Sequence, residues 1–265
     1  MYCKSLQARS GYSALHPEAV QQAQSYFVGT VERKKFPGIF TREEEQQVNL
    51  VEMILSEENI RESIKKVTEN NGAPGIDGMT VKELQGYFEK HGADIKEQIR
   101  NKRYTPKPVR RVYIPKPNTE KFRPLGIPAV VDRVIQEAVA RVLVREYEPY
   151  FSEFSYGYRP NRDGHKAMHQ ALEYLNEGRT WVIDFDVEKY FDTVNHDKLI
   201  SILRERMNDA EILHLIRSFL KAGVMEDGLV SPTEEGVPQG GLCKALHIPP
   251  YAKQKTMQRM YHFSL

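Results

Sequence analysis

The residues with the clearest capacity for chemistry lie in WVIDFDVEKYFD (181–192), an apolar run that ends in carboxylates beside aromatic rings. Mg²⁺ takes octahedral oxygen coordination from one or two carboxylates together with substrate phosphates, so a carboxylate held at the end of a strand suits phosphoryl-transfer chemistry. Strand alternation puts Asp184 and Asp186 on one face, with Phe185 and Val187 on the other. In isolation the run is equally readable as an ordinary strand that happens to end in acids. A second segment, GVPQGG (236–241), surrounds an amide side chain with glycines and a proline. Glycines let backbone approach a ligand closely, and Gln239 could hydrogen-bond a sugar, a base or a template strand. Alone, this composition reads as a turn. A third segment is basic: Arg100 to Arg123 holds nine Lys or Arg residues against one acid, Glu120, interleaved with Tyr104, Tyr113 and Phe122. Such a block suits a surface that follows a phosphate backbone, with Lys107, Arg110 and Arg111 as candidate RNA contacts; a solvated basic face is the plainer reading.

These residues need elements to hold them. Val51 and Ile54, then Ile60, Ile64 and Val67, recur at helical spacing between Glu43 and Asn70, and Ser56 stands where it can cap the second of two helices. GAPGIDG (72–78) breaks that pattern, and Thr80 with Glu83 forms a capping box for another helix. VRRVYIP (109–115) and FRPLGIP (122–128) are strand-like and joined by a turn-rich KPNTEK, so most of the basic block becomes a β-ribbon. Asp132 is expected to open a long helix burying Val134, Ile135, Ala138, Val139, Val142 and Leu143. A second such helix, about Gly164 to Asn176, carries Ala167, Met168, Ala171, Leu172 and Leu175. DKLISILRERM and EILHLIRSFLKAG supply two more, the latter stopped by Gly223. The class is α+β.

Length and composition set limits. At 265 residues and 40% hydrophobic the chain can bury a substantial core. No apolar stretch is long enough to span a membrane, no secretory signal opens the chain, and a cytoplasmic location is the expectation. Cys3 and Cys243 are too far apart in sequence for a zinc pairing or a disulfide framework. His165 and His169 have metal-ligand spacing but no third ligand in the pattern, GAPGIDG lacks the ending of a P-loop, and Asn195-His196-Asp197 reads as helix capping. Arg159 in SYGYRP either contacts RNA or holds its own loop.

Taken in order, GAPGIDGMT, YIPKP, RPLGIP, VVDRVIQEAVARVL, FSYGYRPNRDG, DFDVEKYFD and GVPQGG resemble the early blocks of group II intron reverse transcriptase/maturases, over roughly Leu50 to Gly241. The resemblance implies a right-hand polymerase type of fold: an N-terminal extension at 1–45, helical and β-ribbon fingers at 46–180, an incomplete palm sheet at 181–241, and an aberrant tail at 242–265. It implies Asp186 as catalytic metal ligand with the Val187 carbonyl beside it, a two-metal Mg²⁺ site that is incomplete here, and Asp184 as a bystander. Lys116 and Arg123 would grip the triphosphate of the dNTP substrate, Phe191 would pack under its sugar, and Gln239 would lie near nucleotide and template. RNA and a primer are the implied partners. After Gly241 the sequence leaves the family pattern and contains no Asp-Asp pair. The expectation is therefore a reading frame that ends before the Tyr-x-Asp-Asp motif, with polymerisation lost. The alternatives are an inactive RNA-binding fragment and a diversity-generating or retron-type reverse transcriptase.

Overall fold

The computed structural model describes residues 49–115, 120–179, 190–205, 207 and 209–237, and the backbone of 7–8 and 183–184. The chain divides into two compact units, residues 1–47 with 168–189 and residues 48–167 with 190–265. In the smaller unit Gln7–Ala8 pairs antiparallel with Ile183–Asp184. The rest of the TWVIDFDVE run lies outside the described residues.

The larger unit is built around one helix. Helices α1 (Leu50–Leu55) and α2 (Glu57–Glu69) are separated by Ser56, whose Oγ accepts from the Asn59 amide at 3.3 Å, as the sequence predicts. Their Val51, Ile54, Ile60, Ile64 and Val67 are buried. A short 3-10 turn, Val81–Glu83, carries the expected Thr80/Glu83 capping box and leads into α3 (Leu84–Arg100). Helix α4 (Val130–Tyr147) is the hub: Val130, Val134, Ile135, Ala138 and Val139 are fully enclosed by α1 and α2 and the remaining core. Asn59 fastens α2 to it, donating to the Ala138 carbonyl at 3.0 Å and accepting from Arg141 at 3.1 Å. The helix starts two residues before the expected opener. Asp132 sits in its first turn and points inward, where buried donors claim its carboxylate.

Strands β1 (Val109–Pro115) and β2 (Phe122–Ile127) form the predicted antiparallel ribbon, with Arg110 opposite Ile127 and Pro115 opposite Phe122. The ribbon is extended by two short strands that the sequence did not announce, β3 (Val224–Glu226) and β4 (Leu229–Ser231), giving the order β2-β1-β3-β4 with β1 and β3 parallel. Helix α5 (Gly164–Asn176), which belongs to the smaller unit from Met168 onward, has the expected bounds but not the expected burial. None of its residues is enclosed, and Met168, Leu172 and Leu175 are 65, 52 and 51% exposed. An apolar stripe reports amphipathy, not the presence of a neighbour to cover it. Helices α6 (His196–Arg204) and α7 (Ala210–Leu220) close the unit, capped by Asn195 and Asp209. Tyr147 at the end of α4 donates to the Leu203 carbonyl of α6 at 3.1 Å. No helix among the described residues is long and apolar enough to cross a membrane.

Candidate active site

The glycine-rich turn after α2 is formed by backbone that only small residues permit. Asn71 leaves the helix at φ +42° and Gly78 reverses the chain at φ +70°. Gly75 rests on the start of α4, where an added Cβ would lie 2.6 Å from the Ala129 Cα and 2.8 Å from its nitrogen. Cations hold the carbonyls of this turn. Arg133 donates to Ala73 O at 2.5 Å, Arg110 donates to Pro74 O at 2.8 Å, and Lys107 pairs with Asp77 at 3.0 Å. The Nε atoms of Arg110 and Arg133 are buried with no hydrogen-bond partner among the described residues. Burial lowers the Arg133 pKa, Asp77 opposes that, and the positive charge of Arg110 adds to it.

Behind the turn Asp132 is almost wholly buried, at 2% exposure. It accepts from the Tyr104 hydroxyl at 2.7 Å and from the Lys107 amide at 3.0 Å. Desolvation pushes its pKa up to about 6, against the opposing pull of these two donors. Burial, then the neighbouring Asp132 charge, pushes the Tyr104 phenol up as well. The residue expected to open a helix instead joins the entry of β1 to α4 and so sets where Lys107 and the turn stand.

Much of the basic block is spoken for. Arg100 pairs with Glu52, Lys102 with Glu211, Arg103 with Glu97 and Lys107 with Asp77. On the ribbon, register places Arg110, Ile114 and Arg123 on one face and Arg111 and Tyr113 on the other. Arg110 turns its guanidinium to the glycine-rich turn. Arg111 and Arg123 have no ion-pair or hydrogen-bond partner among the described residues, and Arg123 is exposed. Arg159 is buried in its loop, forked onto Glu148 at 2.7 Å, donating to the Ser155 carbonyl at 3.0 Å and lying over the Phe151 ring. It holds the loop, the second of the two readings open from sequence.

The segment that follows the acidic run meets the start of the GVPQGG turn at Phe191 and Val194. The Val237 amide donates to Phe191 O at 2.7 Å, and the Gly236 amide donates to Val194 O at 2.8 Å. Gly236 adopts φ +81°, and a Cβ there would stand 2.8 Å from the Asp192 carbonyl. His196, the first residue of α6, donates from Nε2 to the Gly236 carbonyl at 2.7 Å. Phe191 packs against the core. The start of the GVPQGG turn is thus bonded to the segment that follows the acidic run. Asp186, Val187, Lys116 and Gln239 lie outside the described residues. Among the described residues no group of three potential ligands could hold a metal, and Asp192 at the junction is exposed.

A family profile described as reverse transcriptase (RNA-dependent DNA polymerase) matches residues 114–262, which include the end of β1, β2, α4 and this junction. The chain belongs to the reverse transcriptase family. It is of the group II intron reverse transcriptase/maturase kind that its motif order implies. Among curated relatives, Protein YkfC of Escherichia coli is 38% identical over 203 residues, 74% of this chain and 53% of that protein. The group II intron-encoded protein LtrA of Lactococcus lactis is 37% identical over 67% of this chain and 29% of its own length. The chain therefore spans about half of one relative and under a third of the other. Among solved structures, a partial Cas6-RT-Cas1--Cas2 complex matches with a TM-score of 0.50 at 22% identity, over 76% of this chain and 34% of that one, which supports the α+β reverse transcriptase fold.

Sequence reasoning set His196 aside as part of a cap and gave Arg133 no role. The signal for His196 was its place directly after a capping Asn, where the helix start fixes its backbone. For Arg133 there was none, because its acceptor is a main-chain carbonyl that any residue can supply.

Proposed function

We propose that this chain is the fingers and first part of the palm of a group II intron reverse transcriptase, an RNA-directed DNA polymerase serving intron splicing and mobility. Residues 46–180 form the fingers in this reading, 181–241 the first part of the palm, 1–45 an N-terminal extension and 242–265 a divergent tail. The observation that supports it most is the pair of bonds from Gly236 and Val237 to Val194 and Phe191, which joins the start of the GVPQGG block to the segment that follows the acidic run.

In the reaction a primer 3′-hydroxyl attacks the α-phosphate of a dNTP, forming a new phosphodiester bond and releasing pyrophosphate. Asp186, with the Val187 carbonyl, would hold Mg²⁺, which supplies neutralisation of charge on the attacking and leaving oxygens. Phe191 packs under the nucleotide sugar, Gln239 meets nucleotide and template, and Lys116 and Arg123 take the triphosphate. Arg111 and Arg123 carry ribbon charge with no partner among the described residues, whereas Lys107 and Arg110 act on RNA while also shaping the glycine-rich turn.

RNA retention on filters across a salt series tests the grip. Each phosphate contact contributes about 0.7–0.9 to the slope of log affinity against log salt. Arg110→Ala and Arg111→Ala are expected to flatten that slope by about this amount each. Slopes unchanged in both variants would place the RNA elsewhere.

A further inference from the structure

We propose that His196 is a positioning residue of the nucleotide site, holding the GVPQGG turn in register with Phe191. The proposal rests on the reading of Phe191 and Gln239 as nucleotide-facing residues and adds to it the side chain that sets their relation.

The geometry is specific. Asn195 caps α6, its Oδ1 accepting from the Lys198 amide at 2.9 Å, so the backbone of His196 is fixed at the first helical position. Helix α6 is itself anchored twice, through Asp197 to Arg217 on α7 at 2.5 Å and through the Leu203 carbonyl to Tyr147. From this rigid base the imidazole, 4% exposed, reaches Gly236 O at 2.7 Å. A carbonyl only accepts, so Nε2 carries the hydrogen; Nδ1 is buried and has no partner among the described residues. Two further bonds of this junction run the other way, from the Gly236 and Val237 amides to Val194 and Phe191. Gly236 is therefore held at both its N–H and its C=O, and the chain enters Pro238-Gln239 from a fixed point. A buried histidine with one bond, directed at the last glycine before the amide that meets the nucleotide, acts through that glycine rather than on the substrate.

The side chains that can replace it follow from length. The amide nitrogen of Gln lies about as far along its side chain as Nε2 of His, whereas that of Asn corresponds to Nδ1. The test measures apparent affinity for dTTP with Mg²⁺ on an oligo(dT) primer annealed to poly(A). Hydrogen exchange at the Gly236 and Val237 amides is followed in the same proteins: wild type, His196→Ala, His196→Asn and His196→Gln. The expected result is a loss of dTTP affinity of about 10- to 100-fold in His196→Ala and His196→Asn. Exchange at Gly236 and Val237 should be faster in both while the amides of α6 keep their protection, and His196→Gln should restore both readouts. The proposal is overturned if His196→Ala matches wild type, or if His196→Gln is no better than His196→Ala. If the wild-type chain itself fails to bind dTTP, the nucleotide-site reading fails and the exchange arm decides alone. Faster exchange in His196→Ala that Gln reverses upholds the positioning role; unchanged exchange overturns it.

Discussion

The turn at residues 72–78 and the start of the turn at 236–237 are fastened differently. In the first, three cations reach in from β1, its entry and α4 to bind two carbonyls and one carboxylate, over a buried Asp132. In the second, main-chain amides and one imidazole N–H hold two residues against the segment 191–194. A charge-held turn depends on the ionisation and hydration of its clamps, so pH and salt act on it. A turn held by main-chain amides and one imidazole N–H depends chiefly on shape. Both share one demand, a glycine where another stretch of main chain approaches too closely for a Cβ.

The largest effects should come from that shared demand. Gly75→Ala forces a Cβ into the Ala129 backbone, and Gly236→Ala forces one toward Asp192 O at a φ that L-residues disfavour. Each is expected to cost roughly 2–4 kcal/mol, seen as a lower urea midpoint at unchanged m-value. Wild-type midpoints in both variants would refute the close approaches.

Asp132 separates the two regions at intermediate size. Its folded pKa, about 6, lies above the ordinary 3.8, so the folded state binds the proton more tightly than the unfolded state. The associated stability is complete below the unfolded value and is lost as pH rises through about 6, amounting to roughly 2–3 kcal/mol. Asp132→Asn should abolish this slope between pH 4 and 6.5 and leave exchange at Gly236 and Val237 unaltered. A slope that survives in the variant would assign the titration to another group.

The smallest effect belongs to Lys107. Its pair with Asp77 has a lysine side chain 54% exposed, so Lys107→Ala should lower stability by less than about 1 kcal/mol, and by less still in 1 M salt. A larger loss, independent of salt, would show that the first turn is held by shape as well.

What could be read from sequence was local. The Ser56 and Asn195 caps, the Thr80/Glu83 box and the β1–β2 ribbon depend on neighbours within a few residues, and the chain announces them. Strands β3 and β4 are three residues each, too short to show alternation, and β3 joins β1 in parallel across more than 100 residues of sequence. The burial of Asp132 was hidden because an acid in a first helical turn reads as complementing the helix dipole. The α5 stripe was legible but its surroundings were not. At the candidate site, motif order pointed to Phe191 and Gln239 of the GVPQGG block as parts of one site, while the bond from His196 to Gly236 required coordinates.

The most direct test of the polymerase reading is primer extension on an RNA template with Mg²⁺ and dNTPs, comparing wild type with Asp186→Ala and with RNA retention followed in parallel. The account predicts that both proteins hold RNA equally and that any extension by the wild type disappears in Asp186→Ala. Extension that persists undiminished in Asp186→Ala would contradict the assignment of the metal-binding carboxylate, and a wild-type chain that holds no RNA would contradict the proposed function itself.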